Sequence, residues 1–175
     1  MRNTGGKEKK RDGKTGGFSG ETFMPAPKRQ AQKGMKISTR TRYGLRAMVD
    51  LAVYYKGVPV FIKEIAKRQN ISHKYLEHIM LALKKAGLVE SLSGAKGGYL
   101  LTKKPADITA FDIVKVLEGS LAPVPCMDHK KMCSRSTICC VNNLWYKIRK
   151  AMVDILRSTT LQDIAENKKA KEFLY

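Results

Sequence analysis

Past Gly87 the chain changes its period. Stretches of helical spacing give way to Leu88-Val89-Glu90-Ser91-Leu92, then a glycine-rich run Ser93-Gly94-Ala95-Lys96-Gly97-Gly98, then Tyr99-Leu100-Leu101. Two short apolar segments around such a loop predict a β-hairpin whose connection is longer than a tight two-residue turn. What precedes it is helical. From Thr39, the residues Leu45, Met48, Val49, Ala52 and Val53 recur at i, i+3, i+4, i+7 and i+8, one face of a helix. Ser38 or Thr39 is placed to cap it, and Gly57 with Pro59 to end it. A second helix is expected over Ile62 to Gln69, burying Ile65 and Ala66, with a turn at Asn70. Ser72 is the expected cap of a third helix, in which Leu76, Ile79, Met80 and Leu83 share a stripe until Gly87. Three helices with a short turn between the last two match a helix-turn-helix, and a hairpin placed after them is a wing.

Farther on, Thr109 with Asp112 makes a capping-box-like start to a fourth helix through Glu118, burying Ile113, Val116 and Leu117 and stopped by Gly119. Val141, Leu144, Ile148, Ala151 and Ile155 then form an apolar seam about two heptads long, which needs a partner. Thr160 to Asn167 reads as one more short helix. The expected class is mainly α with a small β-hairpin wing: a winged helix-turn-helix plus a long C-terminal dimerisation helix. The expected divisions are a disordered basic extension over 1–34, the winged helix-turn-helix over 35–105, a linker helix and cysteine loop over 106–140, the dimerisation helix and a short helix over 141–168, and a tail over 169–175.

Charge bounds the partner. With 34 Lys and Arg against 15 Asp and Glu, the chain carries a formal charge of +19, which predicts a polyanionic partner and salt-sensitive binding. Residues 1–34 are rich in Gly, Lys, Arg, Ser, Thr and Pro and cannot bury enough surface to offset their conformational entropy. This segment is either a DNA-searching arm or an upstream extension created by an early start codon. It holds nine basic and three acidic side chains, so thirteen net charges remain on the body. No apolar run approaches the roughly 20 residues that span a bilayer, and the N-terminus lacks the apolar core of a signal peptide. A cytoplasmic protein is expected, and the basic residues are scattered rather than lining one membrane-surface helix.

In a helix-turn-helix, the N-terminal residues of the second helix lie nearest the base edges. Here these are Ser72, His73, Lys74, Tyr75 and Glu77. Lys74 suits a guanine edge or a phosphate, Ser72 and Tyr75 suit phosphate or base hydrogen bonds, and Glu77 can accept from cytosine N4. Arg40, Arg42 and the wing residue Lys96 are placed for backbone or minor-groove contacts. Lys67, Arg68, Lys84 and Lys85 read as solvated surface charges.

All four cysteines fall in Cys126-x6-Cys133-x5-Cys139-Cys140. Zinc knuckles space their cysteines two to four residues apart, so these wider gaps disfavour zinc and suit a larger iron-sulfur cluster. Adjacent Cys139 and Cys140 diverge in a regular helix, favouring three thiolates plus a non-cysteine ligand, with Asp128, His129 and Asn142 as candidates. Cys140 then reads as a small buried hydrophobe. A metal-free thiol switch also fits. No nucleophile-base-orienter pattern is present, and Gly94–Gly98 lies inside a hairpin rather than before a helix, so neither an enzyme nor a small-molecule substrate is expected.

From Lys36 to about Glu166 the chain resembles the IscR/NsrR-type winged-helix transcription regulators. The matching stretches are Ser38-Thr39-Arg40-Thr41-Arg42-Tyr43-Gly44-Leu45-Arg46-Ala47-Met48, Ile71-Ser72 with Tyr75-Leu76-Glu77, Gly97-Gly98-Tyr99-Leu100-Leu101, and the cysteine loop running into Leu144-Trp145. The resemblance implies a homodimer joined by the long helix and bound to near-palindromic double-stranded DNA. It also implies an iron-sulfur cluster on Cys126, Cys133 and Cys139, with 2Fe-2S expected ahead of 4Fe-4S; because the loop stands immediately before the seam helix, such a cluster is expected to order the loop and set the spacing of two recognition helices. Asn142 stands where the IscR branch has a histidine ligand, and Ser93 where that branch has a wing arginine. The CymR-like relatives in the same family sense through thiols or partners and carry no cluster.

Overall fold

Ser38 starts the first helix by accepting a hydrogen bond from the Thr41 N–H on its hydroxyl, satisfying one of the free donors of the opening turn. The computed structural model describes residues 37–94, 97–136 and 138–167. The expectations for residues 1–34, for Lys96 and for the 169–175 tail lie outside the described residues. Helix α1 spans Thr39–Val53, α2 Ile62–Gln69 and α3 His73–Lys85. Strands β1 (Val89–Leu92) and β2 (Gly98–Leu101) follow, then α4 (Ala110–Glu118), α5 (Asn142–Ser158) and α6 (Leu161–Glu166). The strands pair antiparallel with Val89 opposite Leu101 and Leu92 opposite Gly98, forming the expected wing.

The helix-turn-helix follows from local chemistry. Asn70 adopts the left-handed conformation (φ 50°) and ends α2, as the short polar side chain of asparagine permits. α3 then buries Leu76, Ile79, Met80 and Leu83, the stripe expected from spacing. Ser72 precedes α3 in an extended conformation, but its hydroxyl makes no capping bond, which corrects the expected role. On α4, Thr109 and Asp112 form a full capping box; Thr160 and Asp163 form a second at α6.

α1 departs from its expected face. The buried residues are Thr41, Gly44, Ala47, Met48, Asp50, Leu51 and Ala52, while Leu45, Val49 and Val53 are only partly covered. The helix also ends at Val53, before Gly57. The stripe is rotated because α4 packs directly over Gly44: a Cβ there would overlap Leu117 Cδ1 and lie 3.3 Å from Ile79 Cγ2. Small and polar residues thus occupy the tightest contact, and hydrophobic spacing could not reveal that.

Two further contacts close the body. Val60 and Tyr99 exchange backbone hydrogen bonds of 2.8 and 2.9 Å, adding a bridge beside the wing. This is possible because Gly98 (φ 146°) has no side chain to strike the Val60 carbonyl. At the other end, Ala110 N–H bonds to Thr159 O and Leu161 N–H to Ile108 O. That pairing returns the chain after α5 to the core, where Leu161 and Ile108 are fully buried. Gly44→Ala is expected to lower unfolding stability by about 1–3 kcal/mol through overpacking. In urea titrations, trimming the opposing residue with Leu117→Ala should recover part of that loss in the double variant rather than add to it.

Candidate nucleic-acid interface

The first turn of α3 presents its polar side chains to solvent while the opposite stripe is sealed in the core. Ser72, Lys74 and Glu77 are exposed, Tyr75 sits at 37% exposure and His73 is half-buried. His73 Nδ1 lies 3.6 Å from Glu77 Oε1 one turn later. Burial first, and then the charge of Glu77, raises the Tyr99 phenol above its ordinary range. Arg40 and Arg42 are exposed on the first turn of α1, where Arg42 Nη2 donates to Thr39 Oγ1 at 3.2 Å. Of the eight residues expected to meet nucleic acid, five therefore lie together at the start of α3 and two on α1; Lys96 lies outside the described residues.

Behind this surface sits a polar network that reading by apolar spacing missed. Asp50 is fully buried, and Arg68 grips it with both ends of its guanidinium, Nη2–Oδ1 at 2.6 Å and Nε–Oδ2 at 3.0 Å. The bond to Asp50, acting against desolvation, holds the Arg68 pKa above its ordinary value. Gln69 donates to the same carboxylate at 3.0 Å and accepts from Arg46 Nε at 3.0 Å, while Arg46 Nη2 bonds to the Gln69 carbonyl. Arg68 is therefore a structural anchor, not a solvated charge, and its cation also lies 4.3 Å from the centre of the Tyr54 ring. Lys67, Lys84 and Lys85 are exposed as expected, and Lys84 donates to the Ser91 hydroxyl on β1. No sequence signal pointed to this network, because Asp50 lies off the apolar face that spacing predicts for α1; once buried, a carboxylate must be paired to be tolerated.

The cysteine loop lies between α4 and α5. Cys126 sits in a single 3-10 turn, Pro125–Met127, and Cys133 follows another, Lys130–Met132. Cys126, Cys133 and Cys139 are half-buried, and Cys140 is exposed, which corrects the buried-hydrophobe reading. Among the described residues no group of three or more His, Cys, Asp or Glu side chains comes together to hold a metal ion. The candidate fourth ligands are committed elsewhere or open to solvent. Asp128 accepts from the Ser120 hydroxyl and lies 3.5 Å from Arg149 Nη1 on α5, His129 is exposed, and Asn142 is the first residue of α5.

α5 buries none of its 17 residues. Its expected seam is open, with Val141, Leu144 and Ile155 at 43%, 51% and 65% exposure. No helix among the described residues is long and apolar enough to cross a membrane.

Comparison with known proteins agrees with this architecture. A family model described as Rrf2, iron-dependent transcriptional regulator, matches residues 37–167. The regulator CymR of Bacillus subtilis is 44% identical over 131 residues, covering 75% of this chain and 90% of that protein. Its structure, titled as the global cysteine regulator of B. subtilis, superposes with a TM-score of 0.62 over 74% of this chain and 95% of that one. IscR of T. potens is 40% identical, with a TM-score of 0.63 over 77% of this chain and 88% of that one. IscR of Pectobacterium atrosepticum is 32% identical over 134 residues, covering 77% of this chain and 81% of that protein.

The buried carboxylate yields a test. Asp50→Ala strips Arg68 and Gln69 of their shared acceptor and is expected to cost about 2–4 kcal/mol; the partial exposure of Arg68 keeps the loss toward the lower end of what breaking a buried pair costs. Urea unfolding measures it, and a loss under about 1 kcal/mol would show the network to be peripheral to stability.

Proposed function

The chain belongs to the Rrf2 family of transcriptional regulators, and from that premise we propose that it is a homodimer that reads a near-palindromic DNA operator and is controlled through its cysteine loop. One observation carries the reading: the exposed turn of Ser72, Lys74, Tyr75 and Glu77, mounted on a stripe that the core holds rigid. Such a turn fits a major groove, with Lys74 on a phosphate or guanine edge and Glu77 accepting from a cytosine amine. His73 lies on the same turn, and Arg40, Arg42 and Lys96 supply backbone or minor-groove contacts. The long unburied seam of α5 supports dimerisation, because an isolated helix with this much apolar surface gains by pairing with a second copy. Two recognition helices must then meet half-sites about one helical turn apart.

For sensing, the geometry favours a metal-free loop that responds to thiol chemistry or to a partner. The cysteines do not converge as a ligand set, and Cys140 offers an exposed thiol. The iron-dependent description of the family and the likeness to T. potens IscR favour the other reading, a 2Fe-2S cluster on Cys126, Cys133 and Cys139. The loop reaches the dimer helix in either case, since Asp128 meets Arg149.

Three outcomes are expected. Leu144→Glu with Ile155→Glu gives a folded monomer in light scattering, because neither side chain is buried within the protomer, and weakens binding to duplex DNA selected by the wild-type protein at least tenfold; a variant still dimeric would remove α5 as the interface. Glu77→Ala relaxes selectivity at one cytosine by about 1–3 kcal/mol in selection experiments, and unchanged selectivity would take that residue out of base reading. Protein prepared without oxygen is colourless and free of iron and sulfide, and its DNA affinity changes with peroxide but not with iron chelation. Stoichiometric iron and sulfide, lost in a Cys133→Ala variant, would transfer the loop to cluster chemistry.

A further inference from the structure

Two rings and a cation line up across the helix-turn-helix in a way the proposed contacts leave unused. Tyr43 on α1 meets Tyr75 on α3 edge to face, with ring centroids 6.1 Å apart and planes at 82°. Arg46, one turn along α1, places its guanidinium carbon 5.5 Å from the centre of the Tyr43 ring. The same guanidinium is fixed at its far side by Gln69, through Nε to the side-chain oxygen and Nη2 to the backbone carbonyl. That carbonyl belongs to the last residue of α2, directly before the turn at Asn70, where a cation also complements the helix dipole. Gln69 in turn is locked, 1% exposed, onto the buried Asp50.

We propose that Tyr43 and Arg46 are positioning residues for DNA recognition: Arg46 holds Tyr43 against the end of α2, and Tyr43 fixes the ring of Tyr75 so that its hydroxyl meets the nucleic acid in one orientation. This rests on the reading that the start of α3 enters the groove. A side chain at 37% exposure otherwise samples several rotamers, each of which must be frozen on binding. An edge-to-face neighbour removes that freedom before the encounter. The fork of arginine is needed because one group must bond two oxygens of Gln69 and still lie over an aromatic face, which the point charge of a lysine cannot do. The contact acts through Tyr75, so it contributes to binding of the selected sequence and not to general attraction for phosphates.

The test is a double-mutant cycle on full-length dimer, using the duplex the wild-type protein selects from a randomised library and a scrambled duplex of equal length and composition. Tyr43→Leu is expected to weaken the selected duplex about tenfold while leaving the scrambled duplex and the salt slope unchanged. Tyr43→Phe, which keeps the ring, binds as wild type. Tyr43→Leu with Tyr75→Leu binds no more weakly than Tyr75→Leu alone. Arg46→Lys, which keeps the charge, reproduces part of the Tyr43→Leu loss and gives a second route should Tyr43→Leu fold poorly. Additive losses at Tyr43 and Tyr75, equal weakening on both duplexes, or damage from Tyr43→Phe equal to that from Tyr43→Leu would overturn the proposal. If Tyr75→Leu alone leaves the selected duplex bound as tightly as before, the reading of α3 fails, and this inference falls with it for that separate reason.

Discussion

A carboxylate sealed at Asp50 governs how the first two helices and the turn after them are arranged. Left alone, a buried charge is costly enough that it would protonate or pull its helix toward water. Here it is met by both ends of Arg68 and by the Gln69 amide, so the cost is offset only when α2 sits at one angle to α1. Apolar packing tolerates small slides between helices, whereas a bidentate pair does not. The next link, Gln69 to Arg46, carries that angular constraint to the very turn that launches α3. A polar network that adds modestly to stability can in this way determine where the side chains of the first turn of α3 point.

A second constraint works through close approach rather than charge. Gly44 lets α4 settle against α1, and Glu118 at the end of α4 accepts from the Ser38 N–H and from the Ser38 and Thr41 hydroxyls, at 3.1, 2.6 and 2.7 Å. A negative side chain at the N-terminal end of α1 also complements its dipole. The C-terminal end of α4 is thereby fixed to the start of α1, and from that same end the chain passes into the cysteine loop and α5. Arg149 and Asp128 join loop and α5 by a partly exposed ion pair, which is weak by comparison with the links around Asp50. The links around Asp50 and Glu118 thus hold the first helices more firmly than this exposed ion pair holds the loop to α5.

Much of this was legible in the residue order. The stripe on α3, the turn at Asn70, the hairpin around Ser93–Gly98, the capping box at Thr109 and the short helix after Thr160 each rest on interactions within a few residues, so spacing and cap chemistry reveal them. The burial of α1 was not legible, because its face is set by Leu117 and Ile79 from distant elements pressing on a glycine. Nor was the role of Arg68, which in sequence looks like its exposed neighbour Lys67. The two differ only in which side of a short helix Asp50 happens to face.

The sequence by itself determined the helix-turn-helix, the wing and the apolar seam of α5, since local periodicity, left-handed turns and caps depend on near neighbours alone. Only the tertiary structure decided that Asp50 would be buried and doubly held, that Tyr43 would reach Tyr75, and that the cysteines of the loop would stand apart with Cys140 in solvent. Those outcomes depend on the relative placement of separate segments, as with Asp50 and Arg68, 18 residues apart, and with Tyr43 and Tyr75 on different helices. That placement is fixed by packing and pairing summed over the whole body, information that no single stretch of the chain contains.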